Sequence, residues 1–140
     1  MLRDRLLSRM RLPHTFIHVE ELMAMDSLDM TSRHRVEILE GARKSLAKGW
    51  PIIVLHGTDS MVETATMFFE KLTDLKVPIV FIGAMRPLGF EDSDATQNIV
   101  EALMAAQLLG PGVYLSFHNK IHPLPAVVKD KPLGTFVRKS

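Results

Sequence analysis

The pattern of apolar segments predicts an α/β fold: a doubly wound parallel sheet with helices on both faces. Three short runs, at 51–55, 77–82 and 112–117, are apolar almost throughout, as expected of strands buried on both faces. The segments between these runs carry apolar residues at helical spacing. Alternation of strands and helices favours parallel pairing, because a parallel connection needs a crossover and this is usually a helix.

The elements before the first buried strand are a helix, a short strand and a second helix. Their predicted ranges are 2–10, 16–19 and about 31–48. Thr31 or Ser32 can cap the second helix, and Gly49 stands where a left-handed residue often ends a helix.

The rest of the chain continues the alternation. The predicted elements are a strand at 51–55, a helix at about 60–72, a strand at 77–82, a loop at 83–93, a helix at about 94–109 and a strand at 112–117. The tail contains three prolines, so we expect mostly loop there, with at most a short strand at 126–128.

Composition limits the function classes. With 140 residues, of which 46% are hydrophobic, we expect one domain over 1–140. Seventeen basic and sixteen acidic residues nearly balance, which argues against a nucleic-acid partner. No segment reaches the roughly 18 apolar residues of a membrane span. The amino terminus lacks the apolar core of a secretory signal and there is no Cys, so we expect a cytoplasmic protein.

In folds of this class, ligands bind beyond the carboxyl ends of the strands. A functional site is therefore expected directly after Leu55, Ile82 and Phe117. The residues to search there are His56, Thr58, Asp59, Ser60, Met85, Arg86, Asp92, Asp94, His118 and Asn119.

The segment 56–60 is the strongest of these candidates. Thr58 offers a hydroxyl and Asp59 a carboxylate at a helix amino terminus, where the helix dipole favours negative charge. Together they could hold a small polar ligand. A purely structural reading is also open, because Ser60 and Glu63 fit the S-x-x-E capping box.

The other segments carry weaker signals. Short polar residues at 26–31 usually mean helix capping. Gly83 and Ala84 are small enough for a ligand to reach main-chain carbonyls, although a plain loop explains them equally well. Lys129 could activate a hydroxyl if it left water, but most lysines are solvated. Because His56 lies next to a buried strand, we expect a buried histidine with satisfied hydrogen bonds rather than a base.

The sequence contains no motif for a bound metal or cofactor. The scattered histidines show no metal-ligand spacing, and the sequence contains no G-x-x-x-x-G-K or G-x-G-x-x-G. We therefore expect neither a metal nor a cofactor.

Four segments taken together resemble the bacterial-type L-asparaginase family, in particular its short single-domain members. They are D-S-L-D-M-T at 26–31, V-L-H-G-T-D-S-M-V-E-T at 54–64, G-A-M-R-P at 83–87, and S-D-A at 93–95 with Asn98. The pair H-G-T-D-[TS]-M and G-A-M-R-P, about 25 residues apart, is a specific signature. The resemblance extends from about residue 19 to residue 140.

The resemblance implies a fold like the asparaginase amino-terminal domain and hydrolysis of asparagine to aspartate and ammonia, without a cofactor. Thr58 then corresponds to a catalytic threonine, with Asp59 and Lys129 as its partners. Ser27 corresponds to the residue that holds the substrate α-carboxylate, and Asp59 also to the residue that binds the α-amino group. Ala84 corresponds to a residue whose carbonyl faces the side-chain amide. Relatives are usually dimers or tetramers, so the resemblance also implies a homo-oligomer.

The chain departs from the family pattern at its beginning. The family has a central first strand with T-G-G-T-I, which carries a first catalytic threonine, and a mobile loop with a tyrosine. Here no Gly-Gly pair occurs, Gly41 is the first glycine, and Tyr114 is the only tyrosine. Without that strand, 16–19 and 52–55 must pair directly or a gap must be filled. Three explanations are open: residues 1–15 rearrange, another chain supplies the strand, or the true start lies upstream.

Two functions follow as hypotheses. The first is an amidohydrolase that uses Thr58, Asp59 and Lys129. The second is a catalytically degenerate or truncated relative that binds an amino acid or a partner chain without turnover. An unrelated α/β binding domain is a third reading, which a site at another strand end would support.

Overall fold

A computed structural model describes residues 7–23, 25, 27–86 and 93–139. It contains three α-helices and six strands in these ranges. The helices are α1 (Ser32–Leu46), α2 (Met61–Lys71) and α3 (Ala95–Leu108). The strands are β1 (Ile52–Leu55), β2 (Pro78–Ile82), β3 (Gly112–Phe117), β4 (Lys120–Pro123), β5 (Val127–Asp130) and β6 (Thr135–Arg138). A short 3₁₀ turn, Ser27–Asp29, precedes α1.

The main sheet has four strands in the order β1-β2-β3-β4. The first three are parallel, as their apolar composition predicts, and β4 adds to β3 as an antiparallel hairpin. Strands β5 and β6 form a separate antiparallel pair. The fold is thus α/β with a mixed sheet, and the predicted fold class is confirmed.

Strand β2 shows why helices cover both faces of the sheet. All five of its residues are buried, and successive side chains point to opposite faces. Ile79 and Phe81 belong to the larger core, which α1 and α2 complete. Val80 and Ile82 pack with Ala102 of α3 on the other face. The helical spacing seen in the sequence is the apolar stripe that each helix turns towards the sheet.

The helix predictions agree closely with the structure between residues 31 and 109. Thr31 is the amino-terminal cap of α1, and its backbone N–H donates to Nδ1 of His34. Gly49 has a φ of 76°, the left-handed conformation that its predicted place after the helix requires.

Near the termini, three predictions differ from the structure or lie partly outside its described residues. Residues 16–19 are not a strand. The tail holds β4, β5 and β6 rather than mostly loop, and of these only β5 overlaps the short strand allowed at 126–128. Of the helix predicted over 2–10, residues 2–6 lie outside the described part of the chain, Leu7 is helical, and residues 8–10 form a turn.

Of the two arrangements that the sequence left open, direct pairing of 16–19 with 52–55 is therefore not formed. Strand β1 lies at an edge of the sheet, and no strand pairs with its outer side within the described ranges. Phe16 contacts the ring of Trp50 instead, with ring centroids 6.1 Å apart. The apolar side chain of Phe16 thus packs against the residue before Pro51 and β1, while its backbone does not add to the open edge of that strand.

Candidate functional site

The turn between β1 and α2 presents Thr58 and Asp59 at the carboxyl edge of the sheet. Lys129, on β5, donates hydrogen bonds of 2.9 Å both to Oγ1 of Thr58 and to Oδ1 of Asp59. The lysine side chain is only 18% exposed, so these two oxygens replace most of its water. The ammonium group thus forms one cluster with the hydroxyl and the carboxylate of two adjacent residues that lie 71 and 70 positions earlier in the chain.

The charge of Asp59 is stabilised in this cluster. The hydrogen bond from Lys129 is the main reason that the pKa of Asp59 lies below its ordinary value of 3.8. Slight burial acts in the opposite direction, while the positive charges of Lys129 and Lys131 lower the pKa further. Asp59 is therefore an anion at neutral pH, although a third of its side chain remains exposed to water.

Ser27 lies directly against the same turn. Its Oγ accepts the backbone N–H of Ser60 at 3.2 Å, and its carbonyl accepts the Ser60 hydroxyl at 2.8 Å. A side chain at Gly57 would stand 2.7 Å from Cβ of Ser27, so this close approach requires glycine. The Ser27 hydroxyl proton remains available for a further acceptor, although the residue is buried.

These contacts overturn the capping-box interpretation of Ser60 and Glu63. Ser60 precedes α2, but its side chain makes no capping hydrogen bond to the helix. Its hydroxyl bonds to the Ser27 carbonyl instead, and Glu63 pairs with Arg35 at 2.9 Å. Ser60 therefore joins two segments of the candidate site. Asp26, which begins the other predicted motif, lies outside the described residues.

The segment after β2 approaches the same turn. A Cβ at Gly83 would stand 2.3 Å from the carbonyl oxygen of His56, so only glycine fits here. Ala84 follows it, partly buried, at the same edge of the sheet as Thr58. Pro87, the last residue of this motif, lies outside the described residues.

His56 occupies the interior behind this edge. Its Nδ1 contacts the Gly57 carbonyl oxygen at 2.7 Å and its Nε2 contacts Oγ1 of Thr64 at 2.9 Å. Burial is the main reason that its pKa lies below 6.5. This agrees with the sequence interpretation of a buried histidine with satisfied hydrogen bonds.

A second polar cluster lies where β3 ends. Nε2 of His118 is 2.5 Å from Oδ2 of Asp94, and its Nδ1 is 2.7 Å from Oγ1 of Thr135 on β6. Asn98 accepts the backbone N–H of His118 at 3.0 Å and donates to the Gly83 carbonyl at 2.9 Å. The two clusters are thus connected through Gly83.

Asp94 also accepts the backbone N–H groups of Met85 and Arg86, each at 3.1 Å. Burial raises its pKa, but the bonds from Arg86, His118 and Met85 outweigh burial, so the pKa lies below 3.8. The carboxylate is consequently charged at neutral pH.

The described residues show neither a metal-binding cluster nor a membrane-spanning helix. Within the described ranges, no group of three or more His, Asp or Glu side chains is arranged to hold a metal ion. None of the described helices is long and apolar enough to cross a membrane.

Comparison with known proteins identifies the family. The model of the family described as "Asparaginase, N-terminal" matches residues 2–133.

The chain belongs to this asparaginase family.

Its relatives include a 60 kDa lysophospholipase from Mus musculus, which is 34% identical over 112 residues, 79% of this chain and 20% of that protein. An L-asparaginase from Thermococcus kodakarensis is 28% identical over 118 residues, 84% of this chain and 36% of that protein. This chain therefore spans only a fifth to about a third of the length of these relatives.

Solved structures of asparaginases show the same fold. The thermostable L-asparaginase from Thermococcus kodakarensis superposes with a TM-score of 0.87 at 26% identity, covering 96% of this chain and 42% of that one. A probable cytoplasmic L-asparaginase from Campylobacter jejuni gives a TM-score of 0.83 at 26% identity, covering 97% of this chain and 44% of that one.

Among the residues named from the sequence of this asparaginase-family chain, four lie in contact around one turn. Lys129 donates hydrogen bonds to both Thr58 and Asp59, and Ser27 lies against Gly57, the residue before Thr58. For Ala84 the structure gives only its position at the same edge. Thr135 was missed, because a single threonine in a tail expected to be loop carries no signal of its own.

Proposed function

We propose that this chain is an asparaginase-type amidohydrolase, which converts L-asparagine and water to L-aspartate and ammonia. One observation carries the proposal: Nζ of Lys129 lies 2.9 Å from both Thr58 Oγ1 and Asp59 Oδ1. A cation at this distance stabilises negative charge that develops on the threonine oxygen. Membership of the asparaginase family supports an amide as the substrate.

In the proposed reaction, Oγ of Thr58 attacks the carbon of the side-chain amide. The carbon–nitrogen bond breaks, the hydroxyl proton leaves with the departing ammonia, and an acyl group remains on Thr58. Water then releases aspartate and restores the hydroxyl. Lys129 stabilises the oxygen anion in both steps.

The substrate's charged groups have matching partners in this proposal. Asp59, an anion at neutral pH, binds the α-ammonium group. The Ser27 hydroxyl donates to the α-carboxylate, since its own oxygen is already occupied as an acceptor. The carbonyl of Ala84 accepts from the side-chain amide. No cofactor takes part.

The test is ammonia release from L-asparagine by the purified chain and by Thr58→Ala. Release that disappears in Thr58→Ala and persists in Thr73→Ala, a change at an exposed threonine, supports the proposal. Lys129→Gln should lower the rate about 100-fold, whereas Lys131→Gln should have little effect. Equal release by Thr58→Ala and the unchanged chain would contradict the role of Thr58.

A second candidate is a domain that binds an amino acid without turnover. It is favoured by the absence of T-G-G-T-I, since the family's first catalytic threonine has no counterpart in this sequence. Calorimetric titration with L-asparagine distinguishes the two functions. Binding that Asp59→Asn abolishes, without ammonia release, supports the second candidate and excludes the first for this chain.

We further propose that the chain is cytoplasmic and forms a homo-oligomer. The outer side of β1, which no strand of the described residues pairs, supports self-association, because an open strand edge is a template for pairing. Leu55 at its end is 47% exposed. Light scattering coupled to size exclusion should give a mass above 15.8 kDa. A monomeric mass at all concentrations would refute the oligomer.

A further inference from the structure

A hydroxyl, an imidazole and a carboxylate are hydrogen-bonded in series at the end of β3. In this order they could act as nucleophile, base and orienting acid, and they belong to Thr135, His118 and Asp94. The imidazole lies between the carboxylate, at 2.5 Å, and the hydroxyl, at 2.7 Å. The three residues come from α3's amino end, the turn after β3 and the start of β6, so tertiary packing alone assembles them. Neither Thr58 nor Lys129 is part of this cluster.

The charge of Asp94 determines the direction of both hydrogen bonds. Because the pKa of Asp94 is lowered, its carboxylate is charged and can only accept. Nε2 of His118 must therefore carry the proton that it donates. In a neutral imidazole, Nδ1 is then the acceptor, and the Thr135 hydroxyl donates to it. This is the arrangement in which a base can take the threonine's proton.

The backbone holds His118 in place for this contact. His118 and Asn119 form the two-residue turn between β3 and β4, with φ of 48° and 65°. Such turns favour Asn and Gly, since a larger side chain is strained at positive φ. Asn98 accepts the backbone N–H of His118, which holds the turn that carries the ring. Strain of this kind is often found at functional sites.

The accessibility of the cluster suits reaction with a small molecule. The His118 side chain is 29% exposed, and Thr135 is partly exposed. Three backbone N–H groups in the described segments beside the cluster are already bonded: those of Met85 and Arg86 to Asp94, and that of Asn119 to Glu101. They cannot stabilise the oxyanion of an acyl-transfer intermediate. Acyl donors whose leaving group departs readily depend least on such stabilisation, so they are the class of substrate that fits this cluster.

We propose that Asp94, His118 and Thr135 form a second nucleophilic centre, in which Thr135 accepts an acyl group from an activated carboxylic ester. Oγ1 of Thr135 bonds to the ester carbonyl carbon while Nδ1 of His118 takes the hydroxyl proton. The bond from carbon to the alcohol oxygen then breaks, and His118 returns the proton to the leaving oxygen or to solvent. The product is an acyl-threonine.

The experiment uses p-nitrophenyl acetate as the probe. The release of p-nitrophenolate is followed by absorbance, and peptide mass spectrometry locates the acetyl group. We expect acetylation at Thr135 and one rapid equivalent of nitrophenolate. Thr135→Val keeps the shape but removes the hydroxyl, and should abolish both. Thr135→Ser should restore them.

Two further variants distinguish a nucleophile from a purely structural contact. His118→Asn suits the turn but removes the base, and should slow acetylation about 100-fold. Thr64→Val is the matched control, because Thr64 also bonds a histidine but is fully buried, so acetylation should be unchanged. Thermal melts confirm that the variants remain folded. Acetyl groups on lysines alone, or acetyl-Thr135 formed at the same rate in His118→Asn, would overturn the proposal.

Discussion

Two histidines of this protein each follow directly on a parallel strand and bond to a threonine hydroxyl. His56 follows β1 and contacts Thr64, whereas His118 follows β3 and contacts Thr135. The other ring nitrogen of His56 faces the neutral carbonyl of Gly57, and that of His118 faces the charged carboxylate of Asp94. His56 is 6% exposed, and the His118 side chain is 29% exposed.

The difference shows that a pair of hydrogen bonds does not by itself make a reactive site. Both rings can accept a threonine proton, but a substrate can reach only the one near the surface. A carboxylate also stabilises the imidazolium that forms when the proton moves, which a carbonyl does less well. The same local chemistry therefore serves packing at His56 and is available for reaction at His118.

Gly83 joins the two regions, so its replacement should have the largest effect. A Cβ there would stand 2.3 Å from the His56 carbonyl oxygen, and this backbone atom cannot move freely. We expect Gly83→Ala to lower the free energy of unfolding by about 3 kcal/mol, measured by urea denaturation. Gly110→Ala is the control, because the space around Gly110 is open. Equal stability of the two variants would contradict the close approach.

Removal of each ring should separate the two histidines in stability. His56→Ala leaves a cavity and unpaired groups on Thr64 and Gly57, which should cost about 2 kcal/mol. His118→Ala should cost about 1 kcal/mol, since water can reach the groups it leaves. Urea denaturation measures both free energies. A larger loss for His118→Ala would show that the exposed cluster is the more important structural contact.

The buried ring of His56 should also make the stability of the protein depend on pH. Burial lowers the pKa of His56 below 6.5, so the unfolded chain binds more protons than the folded one as the pH falls. Stability should therefore decrease below about pH 6.5, by at most about 1.4 kcal/mol per pH unit for this residue. His122, whose pKa burial also lowers, adds to the slope.

His56→Gln should reduce this slope, because Gln does not titrate. The measurement is urea denaturation at a series of pH values between neutrality and about pH 5. The charged states of Asp59 and Asp94 do not confuse this window, since both have a pKa below 3.8. An unchanged slope in His56→Gln would show that the buried ring takes up its proton without unfolding.

The main sheet and its helices could be predicted because their signals are local. Apolar runs such as 77–82 and helical spacing depend only on neighbouring residues. The prediction of a strand at 16–19 failed because a strand needs a partner, and partners cannot be read from a single segment. Strands β4 and β6 were missed for the same reason, because the prolines of the tail favoured a loop, whereas the short strand allowed at 126–128 overlaps β5.

In the candidate site as well, local features were predictable and contacts between distant residues were not. Thr58 and Asp59 are adjacent in the sequence, so their place at a strand-to-helix turn was predictable. Ser60 appeared to be a helix cap until the structure showed its bond to Ser27, 33 residues away. The sequence alone could not show that bond, because a capping signal looks the same whether or not another segment competes for the hydroxyl.

The α/β class, the buried strands, the family resemblance and the turn that carries Thr58 all follow from sequence patterns. Which distant groups meet is visible only in the folded chain: Lys129 with Thr58, Ser27 with Ser60, and His118 between Asp94 and Thr135. The two kinds of feature differ in the sequence distance over which the underlying interactions act. Periodicity and turn chemistry act over a few residues, whereas hydrogen bonds between charged groups form wherever packing brings their donors and acceptors together.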